Sequence, residues 1–453
     1  MSAVSNEEEI LTNATVVAAD RKYIFHSWSA QGALKPIPVA RSAGSRFWDF
    51  DGKEYLDFSS QLVFTNVGHQ HPKVVEAIQK QAAALTALAP QHACHARNEA
   101  AERIINLAGP DNFAKVFFTN GGADGNENAI RMCRLHTKKF KVLSFYRSYH
   151  GSTGAAITAT GDPRRFPNEF AAGHVHFWGP FFYRSAFWSS SVEEECKRAL
   201  EHLEQTIIFE GPNTIAAILI ETVPGTAGIM PPPAGYLEGL RALCDKYKIM
   251  WIADEVMAGF GRTGKWFAFQ HYNAVPDLVT FAKGVTSGYV PLGGVIINHA
   301  ISKTFDETVF PGGLTYMGHP LASGCAVATL DVMQEEGIVE HAAMIGEKVL
   351  GPGLRALAQK HKIIGDVRGV GTFWCLELVT DRATKAPLAP YGASSPAMNE
   401  LIAEIKANGM MPFSNFNRVH INPPCNVSEE DVRLGLEILD KSFAPFAKYY
   451  TGA

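Results

Sequence analysis

Six short, uninterrupted apolar runs recur along the first two thirds of this 453-residue chain, and segments with helical spacing of apolar residues separate most of them. Continuous apolar strands that alternate with helices are typical of a mostly parallel sheet covered on both faces. The pattern therefore predicts an α/β fold, in which ligands lie beyond the carboxyl ends of the strands. The predicted strands are 116–118, 142–145, 215–220, 249–253, 278–281 and 294–297, and the predicted helices are 127–135, 193–205 and 235–248.

From about Leu321 onward, helical segments are followed by short alternating strands, which indicates a second, smaller domain of the α+β type. Asp51-Gly52 is a hairpin turn signal, and we expect its hairpin to pack in this second domain. Ser428 is the predicted N-cap of the last helix. The predicted domains are an N-terminal arm with part of the small domain (1–60), a large domain (61–325) and the C-terminal small domain (326–453). Further predicted elements are the hairpin 47–58, helices 73–88, 322–336, 341–360 and 428–443, and strands 372–379 and 418–421.

Charge and composition exclude several classes of protein. The net charge is −4, so there is no basic field to attract nucleic acid or an anionic membrane. No apolar run reaches the roughly 18 residues of a membrane-spanning helix, and the acidic segment 1–10 lacks a secretory signal pattern. The seven cysteines are scattered and form no CxxC pair, which is typical of reduced thiols. We therefore expect a cytoplasmic protein.

Two adjacent carboxylates, Asp254 and Glu255, follow a buried strand and precede a glycine-rich loop that contains Arg262. Burying a carboxylate is costly unless a cation meets it, so one interpretation is structural pairing with Arg262. Downstream, Lys283 ends another apolar strand at a glycine turn. A lysine there can simply extend to solvent, but a desolvated lysine is also what Schiff-base chemistry requires.

Together these residues suggest a site for pyridoxal 5′-phosphate. A strand-end aspartate can keep the pyridine nitrogen of that cofactor protonated, and a strand-end lysine can form a Schiff base with its aldehyde. Gly122 and Ala123 follow a strand and open a helix, where backbone N–H groups can bind a phosphate. Tyr149 follows the neighbouring strand and offers a ring for stacking. Taken alone, each of these last two signals is more often a turn or a core aromatic.

The order of these motifs resembles the class III pyridoxal-phosphate aminotransferases, the ω-aminotransferase group of fold type I, from about Phe25 to Tyr449. The most specific part is Asp254-Glu255-Val256, followed by Gly261-Arg262-Thr263-Gly264 and Ala282-Lys283-Gly284. The resemblance implies a pyridoxal-phosphate enzyme that acts as a homodimer. The implied cofactor residues are Lys283 as the Schiff-base lysine, Asp254 at the pyridine nitrogen, Val256 and Tyr149 on the two ring faces, Gly122 and Ala123 at the phosphate, and Thr315 at the phosphate of the neighbouring subunit.

Four positions depart from the family pattern. Members that use 2-oxoglutarate carry a glutamate at the position of Thr226 and an arginine at that of His420, and some amine:pyruvate members have a mobile arginine near Phe413. Met257 replaces a glutamine near the ring hydroxyl of the cofactor. The distal carboxylate of 2-oxoglutarate would then be buried without a neutralising group. We therefore expect pyruvate to be strongly preferred as the acceptor.

The segment around Arg418 resembles the taurine:pyruvate branch of class III, which transaminates sulfonates and similar ω-amino compounds. Arg418 and His420 share a strand face, and a guanidinium suits a sulfonate or carboxylate through paired N–H donors. The alternative is a surface salt-bridge arginine. The resemblance implies transamination between pyruvate and an amine, an ω-amino acid or a sulfonate such as taurine. The implied substrate pocket consists of Leu62, Val63, Phe64, Tyr149, Thr226 and Arg418.

Other interpretations stay open at this point. An aminomutase, racemase or decarboxylase of the same fold would use the same lysine and aspartate, and a binding protein on this fold would use neither. The pairs His69/His71 and His174/His176 have strand spacing, but no cysteine or acidic cluster accompanies them, so we predict no metal site. The aromatic segment 177–184 is compatible with a pocket wall or with a dimer surface.

Overall fold

The computed structural model describes residues 11–168 and 172–452, and the acidic segment considered for a signal pattern, residues 1–10, lies outside them. The strands are, in chain order, β1 (Val39–Ala43), β2 (Arg46–Asp49), β3 (Glu54–Phe58), β4 (Phe113–Thr119), β5 (Lys141–Phe145), β6 (His174–Phe177), β7 (Ile215–Glu221), β8 (Met250–Asp254), β9 (Leu278–Phe281), β10 (Gly293–Asn298), β11 (Ile364–Val370), β12 (Phe373–Asp381), β13 (Ala386–Pro387), β14 (Met410–Asn415) and β15 (Arg418–Ile421).

The same residues form fourteen α-helices. They are α1 (Asn13–Tyr23), α2 (Ser60–Val63), α3 (Pro72–Ala84), α4 (His95–Ala108), α5 (Gly122–Thr137), α6 (Gly154–Ala159), α7 (Val192–Glu210), α8 (Tyr236–Tyr247), α9 (His299–Thr304), α10 (Pro320–Glu335), α11 (Ile338–Ile345), α12 (Gly351–Lys360), α13 (Pro396–Ala407) and α14 (Glu429–Phe443). A π-helical turn joins α11 to α12.

The larger sheet has seven strands in the order β4-β10-β9-β8-β7-β5-β6. Only β10 runs antiparallel to its neighbours; the pairs from β9 to β6 are parallel. Every residue of β7 and β9 is buried, which explains their uninterrupted apolar sequences. The predicted α/β fold with a mostly parallel sheet is confirmed.

Strand register brings three polar side chains to one edge of this sheet. Glu221 at the end of β7 is paired with Asp254 at the end of β8, and Asp254 is paired with Thr280 on β9. Because parallel strands end on the same edge, these side chains lie next to one another beyond the apolar core. The functional site is built at this edge.

The second sheet takes its strands from both ends of the chain, in the order β1-β2-β3-β14-β15-β12-β11, with β13 paired to β12. The predicted hairpin is confirmed as β2 and β3. It joins the C-terminal strands because β3 pairs in parallel with β14, Leu56 opposite Met410. Ser428 caps α14 by accepting a hydrogen bond from the Asp431 backbone N–H.

Differences from the sequence-based elements concern ends and short strands. The helix predicted over 73–88 ends at Ala84, because Leu85 is already extended. The strands β1, β11 and β14 were not predicted, since their residues are of mixed polarity. All seven cysteines are buried as free thiols. Among the described residues, no helix combines the length and the hydropathy that a membrane crossing requires.

Candidate active site

A cavity of about 210 Å³ opens at the carboxyl edge of the larger sheet. Phe413 of the second sheet also lines it, so both sheets contribute to its wall. The residues predicted from the sequence that line it are Leu62, Val63, Gly122, Ala123, Tyr149, Thr226, Asp254, Val256 and Lys283.

Asp254 is buried at the floor of the cavity, and three donors orient its carboxylate. Its Oδ1 accepts from the Val256 backbone N–H at 3.0 Å. Its Oδ2 accepts from Asn126 Nδ2 at 2.8 Å and lies 2.8 Å from His150 Nδ1. Asn126 is itself fixed, because Thr280 Oγ1 donates to its amide oxygen at 2.8 Å. The carboxylate is therefore held in one orientation before any ligand binds.

Glu255 is adjacent to Asp254 in sequence but lies in a different environment. Its carboxylate accepts from the backbone N–H groups of Ala268 and Phe269, both at 2.8 Å, and burial raises its pKa to about 7. Arg262 is also buried, but it donates to Asn66 Oδ1 at 2.8 Å and to the Pro423 carbonyl. Pairing of Arg262 with Asp254 or Glu255, one interpretation of the sequence, is therefore wrong, because Arg262 donates to other groups and the two carboxylates have partners of their own.

Lys283 begins a single 3₁₀ turn directly after β9. Its φ of +50° lies in the left-handed region, which is uncommon for a residue with a side chain and is concentrated at functional sites. Burial lowers the pKa of Lys283 to about 8, against the opposing charges of Asp254 and Glu221. A lysine with a lowered pKa carries a substantial neutral fraction near neutral pH and is a competent nucleophile.

The N-terminus of α5 provides a place for a phosphate. The helix begins at Gly122 and continues to Thr137, so the N–H groups of its first turn have no acceptor within the helix. A Cβ on Gly122 would lie 2.6 Å from Val256 Cγ2, and this close approach requires glycine. The donors at α5, the oriented Asp254 and the buried Lys283 fit the phosphate, the pyridine nitrogen and the aldehyde of pyridoxal phosphate.

Tyr149 forms one side wall. Its backbone N–H donates to Glu221 Oε1 at 2.9 Å, and its hydroxyl lies 2.8 Å from Ser152 Oγ. The Arg164 guanidinium is 3.6 Å from the centre of its ring, and the Trp28 ring meets it edge-on at 6.5 Å. Burial raises the pKa of Glu221, so this carboxyl takes up a proton more readily than a surface glutamate.

Arg164 is a cation of the cavity that the sequence interpretation missed. Its Nε donates to both oxygens of Asp162, at 3.0 and 2.9 Å, and its Nη2 also donates to Asp162 Oδ2, whereas its Nη1 donates to no residue in the described ranges. It lies close enough to Lys283 to lower the pKa of that lysine. Asn126, His150 and Trp28 were missed as well. Asp162-Pro163-Arg164, a charged turn shortly after the Tyr149 motif, was the one local signal for Arg164.

The sequence profile of the family described as "Aminotransferase class-III" matches residues 28–443. The chain belongs to the class III aminotransferases. It is 33% identical to the taurine–pyruvate aminotransferase of Bilophila wadsworthia, over 95% of this chain and 97% of that protein. It is 35% identical to the 4-aminobutyrate aminotransferase of Escherichia coli K12, over 91% and 94% of the two chains.

Solved structures agree with this assignment. The chain superposes with a TM-score of 0.94 and 41% identity on the taurine:2-oxoglutarate aminotransferase of Bifidobacterium kashiwanohense, solved with pyridoxal phosphate and glutamate, covering 97% of this chain and 99% of that one. The fold type I architecture and the resemblance to class III are confirmed. The cofactor of this class III aminotransferase is pyridoxal phosphate.

Three residues expected in the class III site lie outside the cavity. Phe64 faces a separate surface pocket together with Gln61 and Ser287. Arg418 is 7% exposed, and its guanidinium donates to the backbone carbonyls of Ala227 and Asn415. Thr315 is exposed in the segment before α10, away from the cavity of its own chain. The structure therefore does not bring Phe64 or Arg418 to the substrate.

The positions that distinguish the acceptor preferences of class III members carry uncharged side chains here. Thr226 and Met257 both line the cavity. His420 is fully buried beneath Phe413, with the ring centres 4.9 Å apart, and neither ring nitrogen has a partner among the described residues. Burial lowers the pKa of His420 well below its usual range, so this ring carries no charge at neutral pH.

The two histidine pairs considered as metal ligands in the sequence lie outside the cofactor cavity. His69 Nε2 lies 2.8 Å from Asp57 Oδ2, and His174 belongs to β6 at the edge of the larger sheet. Within residues 11–168 and 172–452, no three His, Cys, Asp or Glu side chains are grouped closely enough to hold a metal ion.

Proposed function

We propose that this class III aminotransferase transfers the amino group of an ω-amino sulfonate or ω-amino carboxylate, such as taurine or β-alanine, to a 2-oxo acid. The observation that carries the proposal is the position of Arg164, whose guanidinium lies in the same cavity as Lys283 and Asp254. A donor with an amine at one end and an anionic group at the other can therefore meet both a reacting lysine and a cation.

The roles of the residues follow from their geometry. When bound, pyridoxal phosphate supplies an electron sink for the carbon that loses a proton. Lys283 would hold the cofactor covalently and, once the donor amine has displaced it, would take that proton on Nζ and return it. Asp254, oriented by Asn126 and His150, would keep a proton on the pyridine nitrogen. Those two contacts hold the carboxylate in its orientation.

Arg164 suits the distal group of the donor. Asp162 occupies its Nε edge, and the Nη1 group remains for a ligand. Tyr149 stacks against the guanidinium at 3.6 Å and limits its movement. The relatives named for taurine and for 4-aminobutyrate act on molecules that share this pattern, an amine and an anionic group joined by a short chain.

Two acceptors are candidates. Pyruvate is the acceptor predicted from Thr226, His420 and Phe413, which offer no charge to a distal carboxylate. Arg164 is the specific observation that favours a second candidate, 2-oxoglutarate, because it is a cation at the place where a second carboxylate would be buried. The likeness to a taurine:2-oxoglutarate aminotransferase supports the same candidate.

Single-turnover kinetics test the proposal. Taurine and an uncharged arylalkylamine are compared as donors for the wild type, for Arg164→Met and for Arg433→Met, a matched loss of charge at an exposed pair with Glu429. One charge-assisted hydrogen bond contributes about 1.5–3 kcal/mol, so Arg164→Met should slow taurine roughly 10- to 100-fold. The arylalkylamine should change less than about threefold, and Arg433→Met should match the wild type. Equal loss of both donors would contradict the role of Arg164.

The acceptor and the reaction type are tested with the same preparation. The ratio of kcat/KM for pyruvate to that for 2-oxoglutarate decides between the two acceptors. In Arg164→Met, kcat/KM should fall more for 2-oxoglutarate than for pyruvate. An aminomutase, racemase or decarboxylase would turn over without a second substrate, whereas transamination requires one and shows ping-pong kinetics.

A further inference from the structure

A second cavity of about 290 Å³ has four guanidinium groups in its wall and one carboxylate among the described lining residues. We call it the arginine cavity. It shares no lining residue with the cofactor cavity. Its charged residues are Arg147, Arg165, Arg184, Arg418 and Glu377.

The single carboxylate is already engaged on both oxygens. Arg184 Nε donates to Glu377 Oε1, and Arg368 Nη2 donates to Oε2 at 2.7 Å. Although burial alone would raise it, Arg368 and Arg184 lower the pKa of Glu377 to about 2. Asp366, nearby, accepts from Arg368 Nη1 at 2.6 Å. Neither of these carboxylates accepts a hydrogen bond from Arg147 or Arg418.

Arg147 is held by aromatic rings rather than by an ion pair with a described carboxylate. Its guanidinium lies 4.7 Å from the Phe181 ring centre and 5.5 Å from that of Trp178, and it makes no hydrogen bond or ion pair with a described residue. Burial and the like charge of Arg418 lower the pKa of Arg147 to about 10, against the opposing charge of Glu377. A desolvated guanidinium with free donors is costly unless an anion pairs with it.

Arg418 faces the same cavity and likewise lacks an ion pair with a described carboxylate. Its Nε and Nη1 donate to the carbonyl oxygens of Asn415 and Ala227, and no carboxylate of the described residues bonds to it. Backbone carbonyls satisfy N–H groups but do not neutralise a full charge. Arg147 and Arg418 therefore line one water-accessible space as two planar cations, and burial lowers the pKa of each.

We propose that the arginine cavity binds a small dianion, with Arg147 and Arg418 as its charge partners. The guanidinium forks match the paired oxygens of a carboxylate or of an inorganic oxyanion. The rings of Trp178, Phe181 and Tyr391 complete a wall against which a short hydrocarbon chain can pack. The site is independent of the proposed function, since it requires nothing of Lys283.

Calorimetric titration of the holoenzyme with sodium sulfate and with sodium succinate tests the proposal, at an ionic strength held constant with sodium chloride. All variants carry Arg164→Met, which removes the cation of the cofactor cavity. This background should bind one equivalent of a probe. Adding Arg147→Met should weaken binding roughly tenfold or more, whereas adding Arg433→Met should change it less than twofold. Binding of sulfate alone identifies an oxyanion site, and tighter binding of succinate identifies a dicarboxylate site.

Two results would overturn the proposal: no saturable binding above the chloride background, or equal affinities with and without Arg147→Met. Thermal unfolding provides a check on folding. Sulfate should raise the midpoint of the Arg164→Met background but not that of the double variant, and equal rises would mark a nonspecific salt effect. If Arg147→Met does not fold, Arg147→Lys keeps the charge and loses the fork, and should bind the probe more weakly than arginine does.

Discussion

Lys283 should capture pyridoxal phosphate at a pH where an ordinary lysine is almost fully protonated. Only the neutral amine attacks an aldehyde, and burial lowers the pKa of Lys283 to about 8 from the usual 10.5. At pH 7 the neutral fraction is then about 10%, compared with about 0.03% for a free lysine. At pH 7 we therefore expect the apoenzyme to capture the cofactor about 300-fold faster than it would if the pKa of Lys283 were 10.5.

The assay is stopped-flow absorbance after mixing apoenzyme with pyridoxal phosphate from pH 6 to pH 10. Capture rates should rise with pH and level off near pH 8, whereas Nα-acetyl-lysine in the same buffers should rise to about pH 10.5. Asp254→Asn should move the midpoint lower still, because the Asp254 charge favours the protonated lysine. A midpoint within half a unit of the free lysine would refute the reasoning, and so would an upward shift in Asp254→Asn.

The lowered pKa of Lys283 also predicts how the stability of the apoenzyme changes with pH. Between pH 8 and 10.5 the folded apoenzyme binds fewer protons at Lys283 than the unfolded chain does, so this residue should favour folding more as the pH rises through that window. The difference in unfolding free energy between the wild type and Lys283→Met should change by up to about 3 kcal/mol. A difference that stays flat would mean that Lys283 is solvated in the apoenzyme.

Three further outcomes are expected. Lys283→Ala should abolish turnover and the visible absorbance of the bound cofactor while the circular dichroism stays native, and turnover near the wild-type rate would contradict its role. Asp254→Asn should retain the cofactor but lose orders of magnitude in rate, whereas a loss below tenfold, about 1.4 kcal/mol, would show that Asp254 is not the partner of the pyridine nitrogen. If the active unit is a homodimer in which Thr315 reaches the partner's phosphate, then mixing inactive Lys283→Ala with a disabled Thr315→Ala should restore partial activity in hybrids; mixtures that never complement would count against that arrangement.

The sequence predicted the larger sheet because buried parallel strands leave a signature that needs no knowledge of their neighbours. Continuous apolar runs marked six of its seven strands, and polar residues at their ends located Asp254 and Lys283. Strand ends of a parallel sheet converge, so distance along the chain did not matter. The same logic located Tyr149 and Gly122, which follow neighbouring strands.

The side chains that depend on loop paths could not be assigned in this way. Asp254 and Glu255 are adjacent in sequence yet face different surroundings, and only the packing decides which one meets the cavity. Arg418 was correctly placed on a strand, but alternation alone does not say which of two cavities it faces. Arg164 reaches the cofactor cavity from a short 3₁₀ helix, Pro163–Asn168, which is too short to show a repeating apolar pattern.

The parallel pairing of β3 with β14 has a consequence for synthesis. Leu56 leaves the ribosome roughly 350 residues before its partner Met410, which at cellular rates of about 5–20 residues per second is on the order of 20–70 s. During that interval the hairpin has an exposed strand edge, which is a hazard for association with other nascent chains. The polar, mostly exposed strand β1 protects its other edge. Circular permutation that joins the two ends of the chain and begins synthesis after the hairpin would shorten this exposure.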